Sequence, residues 1–312
     1  AALVAIERLG ERLGPQDRVT VLVAGVGAPV IAPTPASQLR RQASALISVE
    51  TSAVATGPDP LVAAMAAAGV QLAAMASTPH RIPGTGVVLV LTHGGDRERQ
   101  SDARRAAHGL TLAGFTTSTI ALGVGVRLGD AGSGGGGSGS DGVWWAVAEA
   151  GHGQAHTSDG SKASVEAAVS AEIEAQSRVV ARLLRVAIRL APGTRAVRIV
   201  GSEMLVDAEV RRVKAREQAV DRQMSAALGV DSDRGDDDEG LQTVIPSFLG
   251  DDSHVILVEL EVDGPGPVAT VSLRYKDMVR LGNATARASV ALAARPRPAT
   301  PAEREVTDSL RG

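Results

Sequence analysis

The stretch that most constrains the fold lies at residues 86–97 and reads GVVLVLTHGGDR. The apolar run Val87–Leu91 leads directly into the polar, glycine-containing segment Thr92–Asp96, and a helix-like segment follows. A short apolar run with such neighbours is typical of a parallel strand buried on both faces of a sheet. Open α/β sheets bind their ligands at the carboxyl ends of these strands. We therefore predict a binding surface at Thr92–Asp96, whose ligand the run itself does not identify.

Strands and helices are predicted to alternate along the first part of the chain. The predicted strands are Arg18–Ala24, Pro29–Pro33, Val87–Leu91, Phe115–Val124 and Gly153–Thr157. The predicted helices are Ala1–Leu13, Ser37–Ile47, Glu98–Leu112, Trp144–Ala150 and Ser161–Ser177, with a further helix that starts at Asp59–Pro60. This alternation predicts a doubly wound, Rossmann-like parallel sheet with helices on both faces, and we place that domain at residues 1–177.

Beyond residue 177 the pattern changes to longer, alternating strands. Two β-hairpins are predicted, one from Val179–Leu190 with Arg195–Gly201 and one from His254–Val262 with Val268–Tyr275. A helix at Val206–Leu228 and a strand at Ala286–Ala293 complete this region. It is predicted to be an antiparallel β-sandwich at residues 178–295, followed at residues 296–312 by a Pro-rich linker and the start of a further segment.

Composition narrows the classes of function. Aromatic residues make up 2% of the chain and hydrophobic residues 44%, so Val, Leu, Ile and Ala must fill the core. The net charge of −3 argues against nucleic acid as the main partner, because that would need clustered Lys and Arg. Cysteine is absent, which excludes disulfides, thiol catalysis and Cys-ligated zinc. No run of about 18 apolar residues is present, so we expect no membrane insertion within this chain.

Residue spacing argues against two specific binding sites, a calcium-binding EF-hand loop and a dinucleotide-binding loop. The acidic run from Asp231 to Glu239 has Asp236 where a calcium-binding EF-hand loop needs Gly, and Gln242 where it needs Glu. Gly123 begins a glycine series without the spacing of a dinucleotide-binding loop, and the Gly/Ser run Gly132–Ser140 follows instead of a helix. That run is predicted to be flexible, either as a natural insertion or as an engineered splice.

Two catalytic or metal-binding alternatives also lack support. His152 and His156 are four residues apart, but the glycines around them argue against the helix that would align them on zinc. The letters of a nucleophile elbow occur only inside the Gly/Ser run, without the strained turn after a core strand that this motif requires. No nucleophile and base are therefore predicted at the strand ends.

The order of these pieces resembles a von Willebrand factor A domain followed by a β-sandwich. This is the arrangement of a bacterial group similar to the inter-alpha-trypsin inhibitor heavy chains and the calcium-activated chloride channel homologues. The resemblance is carried by LGPQDRVTVLVAG, VIAPTPAS, LVLTHGG and FTTSTIALGVG in the first region, and by VRIVGSE, IPSFLGDDSHVILVELEV and VSLRYKD in the second. It covers nearly the whole chain and rests on order and spacing.

The resemblance implies a Mg²⁺ site, the metal-ion-dependent adhesion site, at the carboxyl edge of the sheet. Its ligands come from an Asp-x-Ser-x-Ser loop, a Thr and an Asp. That loop and the central strand before it are absent from this sequence, and we expect that an upstream segment could restore the loop. Thr56 matches the Thr better than Thr51 does, and His93 occupies the place of the Asp, with Asp96 three residues further on. Because Mg²⁺ prefers oxygen ligands, we expect this degenerate site to bind metal weakly or not at all.

The function that the resemblance implies is non-catalytic, adhesion-type binding of another protein. The partner is expected to dock on Thr56, His93, Gly94, Gly95 and Asp96. Members of the bacterial group are often attached to the cell envelope or exported, so the same is expected here. Two alternatives stay open at this point: a structural scaffold with no ligand at that site, and a hydrolase or nucleotide-binding α/β protein.

Overall fold

The computed structural model describes residues 1–26, 28–46, 59–76, 84–93, 97–123, 141–232, 239–294 and 300–311. Thr56, Gly94–Asp96, the Gly132–Ser140 run and most of the acidic run near residue 235 lie outside these residues. The chain divides into two compact units, Ala1–Val179 and Val180–Gly312.

The first unit contains five described strands and six described α-helices. The helices are α1 (Ala2–Arg12), α2 (Ala36–Gln42), α3 (Pro60–Ala76), α4 (Arg97–Leu112), α5 (Asp141–Ala150) and α6 (Lys162–Ser177), with a 3₁₀ turn at Ala43–Leu46. The strands are β1 (Arg18–Val21), β2 (Ile31–Pro35), β3 (Val87–Thr92), β4 (Thr116–Leu122) and β5 (His152–Ser158).

Strands β3, β4 and β5 form a parallel sheet with β4 in the middle. Leu91 pairs with Ile120, which in turn pairs with His156. Every residue of β4 is buried. Together with the helices that pack on it, this sheet confirms the predicted α/β class and the assignment of the apolar run 87–91 to a parallel strand.

Strands β1 and β2 do not extend that sheet among the described residues. They pair only with each other, and the pairing is antiparallel. Helix α1 links the two sheets, because Ala5 packs in a cluster with Ile120 of β4 while the adjacent Ile6 packs with Ile31 of β2. The single continuous sheet implied by the alternation of elements is therefore divided in two here.

Helices cover both faces of the parallel sheet. On one face Phe115 packs with Val147 and Trp144 of α5 and with residues of α3 and α4. On the other, Ile120 packs with Val165 of α6 and with α1. The predicted helix start at Asp59–Pro60 is confirmed at α3, where the Leu61 amide donates to Asp59 Oδ1 at 2.8 Å.

Glycine is required where β4 and β5 pack most closely. A Cβ atom on Gly153 would lie 2.2 Å from the carbonyl oxygen of Thr117, and one on Gly151 would lie 2.4 Å from the Thr117 Cβ. No real Cβ atom is accommodated at such distances, so any larger residue here must displace backbone.

The second unit contains a four-stranded sheet, a two-stranded sheet and helices. Its described elements are β6 (Val179–Leu190), β7 (Thr194–Val200), α7 (Asp207–Leu228), β8 (Leu241–Leu249), β9 (Leu257–Val262), β10 (Gly266–Asp277), β11 (Gly282–Leu292) and α8 (Pro301–Arg311). The strand order is β11-β10-β6-β8 in the larger sheet and β7-β9 in the smaller. Apolar residues of β9, such as Val258 and Leu260, pack against Ile188 and Ala269 of the larger sheet.

Both predicted hairpins are wrong. Strand β6 pairs with β10 and lies beside β8, whereas β7 pairs with β9, so the turn at Ala191–Thr194 connects two different sheets. The turn before Gly266 likewise leads from β9 in one sheet to β10 in the other. Strands placed in two facing sheets bury their apolar sides against each other, which a two-stranded hairpin alone cannot do. Strand β8 was not predicted at all, and β9 begins three residues after His254.

Helix α7 packs on the four-stranded sheet through an apolar part and an ionic part. Val220 and Met224 pack against Leu183 in the apolar part. In the ionic part Lys276 of β10 donates to Asp221 of α7, and both side chains are buried. No helix among the described residues combines the length and apolarity needed to cross a membrane.

Candidate functional site

His93 lies at the carboxyl end of the parallel sheet. It follows Thr92, whose β-partner is Ala121 of β4, and it is exposed. Its ring lies against the end of β4: a Cβ atom built on Gly123 would be 3.3 Å from His93 Nδ1. Gly123 has φ +75°, a conformation that favours glycine. The sequence therefore placed this residue correctly at a strand end that faces solvent.

The neighbouring strand β5 ends at the same edge. Ser158 pairs with Leu122, and the Gly123 amide donates to the Ser158 carbonyl at 2.8 Å. The Ser158 hydroxyl is buried and accepts from the Gly160 amide at 3.1 Å, which closes a tight turn. His93, Gly123 and Ser158 thus follow one another across the edge at the strand spacing of about 4.8 Å.

Asp159 adds a carboxylate to this edge. Hydrogen bonds from the side chain and backbone of Ser161 hold the pKa of Asp159 below its usual value, although partial desolvation opposes them. The Ser161 amide donates to Asp159 Oδ1 at 2.8 Å, and the Ser161 hydroxyl caps helix α6 by accepting from the Ser164 amide. The carboxylate is therefore ionised at neutral pH and fixed in place at the start of the helix.

Ser158 and Asp159 were not predicted as site residues. The available signal was the sequence SDGS directly after a predicted strand, which is the same signature as the THGG segment after β3. Thr56, Gly94, Gly95 and Asp96 lie outside the described residues, so their predicted place in the site remains a prediction.

The described part of this edge does not match the oxygen-rich donor set of a Mg²⁺ site. His93 offers an imidazole nitrogen, which Mg²⁺ does not favour, and the Asp159 carboxylate is engaged by the Ser161 amide. Within the described ranges no group of three or more His, Asp or Glu side chains is arranged to hold a metal ion.

A buried polar network lies inside the first unit, between the sheet and α6. Glu172 Oε1 accepts from the Ser118 hydroxyl and from Gln176 Nε2, each at 2.8 Å, and Glu172 Oε2 lies 3.0 Å from His156 Nε2. The Gln154 amide donates to Ser118 Oγ at 3.1 Å. In a serine hydrolase the histidine lies between the serine and the carboxylate, whereas here the Glu172 carboxylate lies between Ser118 and His156. We therefore interpret the network as a structural contact that holds α6 against the sheet.

His156 and His152 lie on strand β5 rather than on a helix, as the flanking glycines indicated. His156 contacts Glu172, and His152 pairs with Thr117 of β4 in an unusual φ of +51°. This pair therefore does not have the helical spacing on which a zinc hypothesis would rest.

In the second unit the structure brings together two residues that sequence reasoning did not connect. Ser202 Oγ lies 2.9 Å from His254 Nε2. The two residues are 52 positions apart, in two loops whose proximity depends on the pairing of β7 with β9, so no local spacing could indicate their contact.

The fold can be compared with known proteins. A von Willebrand factor type A protein from Catenulispora acidiphila is similar over 94% of this chain, with a TM-score of 0.57 and 16% sequence identity. The chain has a von Willebrand factor A-type fold. This confirms the resemblance in fold that the order of motifs predicted, and the chain spans 60% of the length of the Catenulispora protein.

Two further solved structures are more distant. The BatB protein from Bacteroides thetaiotaomicron has 22% identity and a TM-score of 0.41, over 56% of this chain and 86% of its own. The human COPII-coat protein Sec24c has 12% identity and a TM-score of 0.49, over 94% of this chain and 41% of its own. Models of protein families and the sequences of curated proteins give no match.

Proposed function

We propose that the first unit is a non-catalytic protein-interaction domain whose partner docks at the carboxyl edge of the β3-β4-β5 sheet. The observation that carries the proposal is the position of His93. It is exposed at the end of the apolar parallel strand β3 and lies against Gly123 in a fold of the von Willebrand factor A type. Open α/β sheets bind their ligands at this edge.

The docking face comprises His93 with Thr56, Gly94, Gly95 and Asp96, as the resemblance implies, and Asp159 is its further member. The scaffold beneath it is rigid, because β4 is buried along its whole length and helices pack on both faces. Polar side chains on a rigid scaffold suit recognition of a folded surface, since little conformational entropy is lost on binding.

The proposed interaction does not depend on a bound Mg²⁺. An imidazole in place of the expected carboxylate favours hydrogen bonding over coordination of a hard cation. His93 can donate to or accept from a partner, and the Asp159 carboxylate can accept from an amide or pair with a basic side chain.

The experiment is affinity capture from extracts of the source cells with the immobilised full chain. The proposal predicts that the proteins retained by the wild type are lost with His93→Ala and weakened with Asp159→Ala. Arg105→Ala provides the matched control, since Arg105 is an exposed side chain on α4 whose only described ionic partner is Asp102 one turn away.

The alternative of a structural scaffold predicts a different result. Capture would then be the same for the wild type, His93→Ala and the control, or would be absent for all three. Either outcome rejects the docking face proposed here.

A further inference from the structure

Two loops meet at one end of the smaller sheet in the second unit. At this end of the sheet Val200, the last residue of β7, pairs with Leu257, the first residue of β9. Gly201 directly follows β7, and Val255 and Ile256 directly precede β9. A Cβ atom on Gly201 would lie 2.2 Å from the Val255 carbonyl oxygen, and Gly201 has φ +90°. Only glycine allows this close approach, and it places the next residue, Ser202, beside the loop that carries His254.

Two hydrogen-bond contacts surround the Ser202 hydroxyl. Thr243 Oγ1 of β8 donates to Ser202 Oγ at 3.4 Å, and Ser202 Oγ lies 2.9 Å from His254 Nε2. When the imidazole is neutral and carries its proton on Nδ1, the Ser202 hydroxyl donates to His254 Nε2.

The surroundings of His254 keep it neutral. Partial desolvation lowers the pKa of His254 below its usual value, and the nearby charge of Asp252 opposes this only in part. The Ser253 amide donates to Asp252 Oδ1 at 2.8 Å, and this local hydrogen bond restrains the Asp252 carboxylate. At pH 7 the imidazole is therefore available as a base.

The pair is also open to solvent. His254 is exposed and Ser202 is half-buried, so a small substrate can reach both. A serine hydroxyl within hydrogen-bond reach of an accessible, neutral histidine is the minimum arrangement for nucleophilic catalysis.

We propose that Ser202 and His254 form a nucleophile–base pair that accepts an acyl group from a small ester and passes it to water. This activity lies in the second unit and is independent of the interaction proposed for the first.

The chemistry balances with water as the second reactant. Ser202 Oγ bonds to the carbonyl carbon of the ester while its proton moves to His254 Nε2, and the resulting imidazolium gives that proton to the departing alcohol as the ester C–O bond breaks. A water molecule then attacks the acyl-serine, again with transfer of its proton to His254 Nε2. The proton returns to Ser202 Oγ as the carboxylic acid leaves.

The test uses p-nitrophenyl acetate as the substrate and the full chain as the enzyme. We expect release of p-nitrophenol above the solvent rate, with an acetyl group on the tryptic peptide that contains Ser202. Ser202→Ala removes the nucleophile. His254→Gln keeps a hydrogen-bonding side chain but cannot take up a proton. Each should lower the protein-dependent rate by about a hundredfold, the lower end of what a positioned base contributes.

Ser253→Ala is the matched control, because Ser253 lies next to His254 and its described hydrogen bond to Asp252 is made through the backbone amide. Its rate should stay within about twofold of the wild type, because the substitution is exposed and removes neither reacting side chain. A pH profile adds a readout that a structural role would not move: the rate should rise as His254 loses its proton, with a midpoint below the ordinary pKa of histidine because desolvation lowers the pKa of His254.

Three results would overturn the proposal. They are a wild-type rate no faster than solvent, a wild-type rate retained by Ser202→Ala, and an acetyl group found only at residues other than Ser202. Far-UV circular dichroism and the thermal melt of each variant show that the fold is retained, so that loss of activity is not loss of structure.

Discussion

Removal of Asp221 should destabilise the second unit strongly. Lys276 donates to Asp221 and also to Asn283 Oδ1 at 2.7 Å, and only 8% of the Lys276 side chain and 3% of the Asp221 side chain are exposed. In Asp221→Ala the ammonium group stays buried with the neutral Asn283 as its remaining described hydrogen-bond acceptor.

The size of the effect follows from this burial. Breaking a buried ion pair by removal of one partner costs about 3–5 kcal/mol, because an uncompensated charge is left behind. Glu217 moderates the loss here, since the charge of Lys276 acts on its carboxylate even though burial raises the pKa of Glu217. We therefore expect a cost of about 3 kcal/mol, at the lower end of that range.

Urea unfolding followed by far-UV circular dichroism measures this cost as a shift of the transition midpoint. The double variant Asp221→Leu with Lys276→Met removes both charges and introduces apolar side chains of similar shape, so its free energy of unfolding should lie within about 1 kcal/mol of the wild type. If Asp221→Ala costs less than about 1 kcal/mol, the value of an exposed pair, the ionic contact of α7 is solvated and the argument is refuted.

Other variants test the first unit. Gly153→Ala should lower the free energy of unfolding by more than about 2 kcal/mol in urea titrations because its Cβ meets a β4 carbonyl, whereas Gly84→Ala, with open space around it, should change it by less than about 0.5 kcal/mol. Phe115→Ala should cost about 3–5 kcal/mol in the same assay through the cavity it leaves in the core. Glu172→Ala should cost about 1–3 kcal/mol, since buried donors lose their acceptor, and equal stability of this variant would contradict the network. The lowered pKa of Asp159 means that its contribution to stability is present above its ordinary pKa and is lost as pH falls through the lowered value, so thermal melts of Asp159→Asn should depend less on pH in that acid range.

Local signals in the sequence predicted most single elements. The apolar run 87–91 became β3, Asp59 capped α3, and the helix predicted at Val206–Leu228 is α7 within one residue. Each of these depends on residues close in sequence: the length of an apolar run, a capping acid before proline, or a helical period.

Strand pairing was not predictable in the same way. Alternation in β6 and β7 shows which side of each strand is apolar, but the same pattern suits a hairpin and two facing sheets. Burial against strands that are distant in sequence favours the two facing sheets, and Ile188, for example, packs with Val258. The candidate site residues also differ in whether local sequence predicts them. His93 followed from its own strand, whereas the contact of Ser202 with His254 depends on a pairing that the local pattern does not reveal.

The most direct test of the central claim is photo-crosslinking from position 162, next to the proposed docking face. Lys162 is the first residue of α6, three residues after Asp159, and 71% of its side chain is exposed. The full chain would carry a photoreactive benzophenone amino acid in place of Lys162, or of Arg105 as the control, so that His93 stays intact, and would be irradiated in extracts of the source cells. The proposed docking face predicts a defined protein adduct from position 162 that is absent from position 105, is competed away by excess wild-type chain and is not competed away by His93→Ala. Equal adducts from both positions, or none from position 162, would contradict the claim that this edge of the sheet binds a partner.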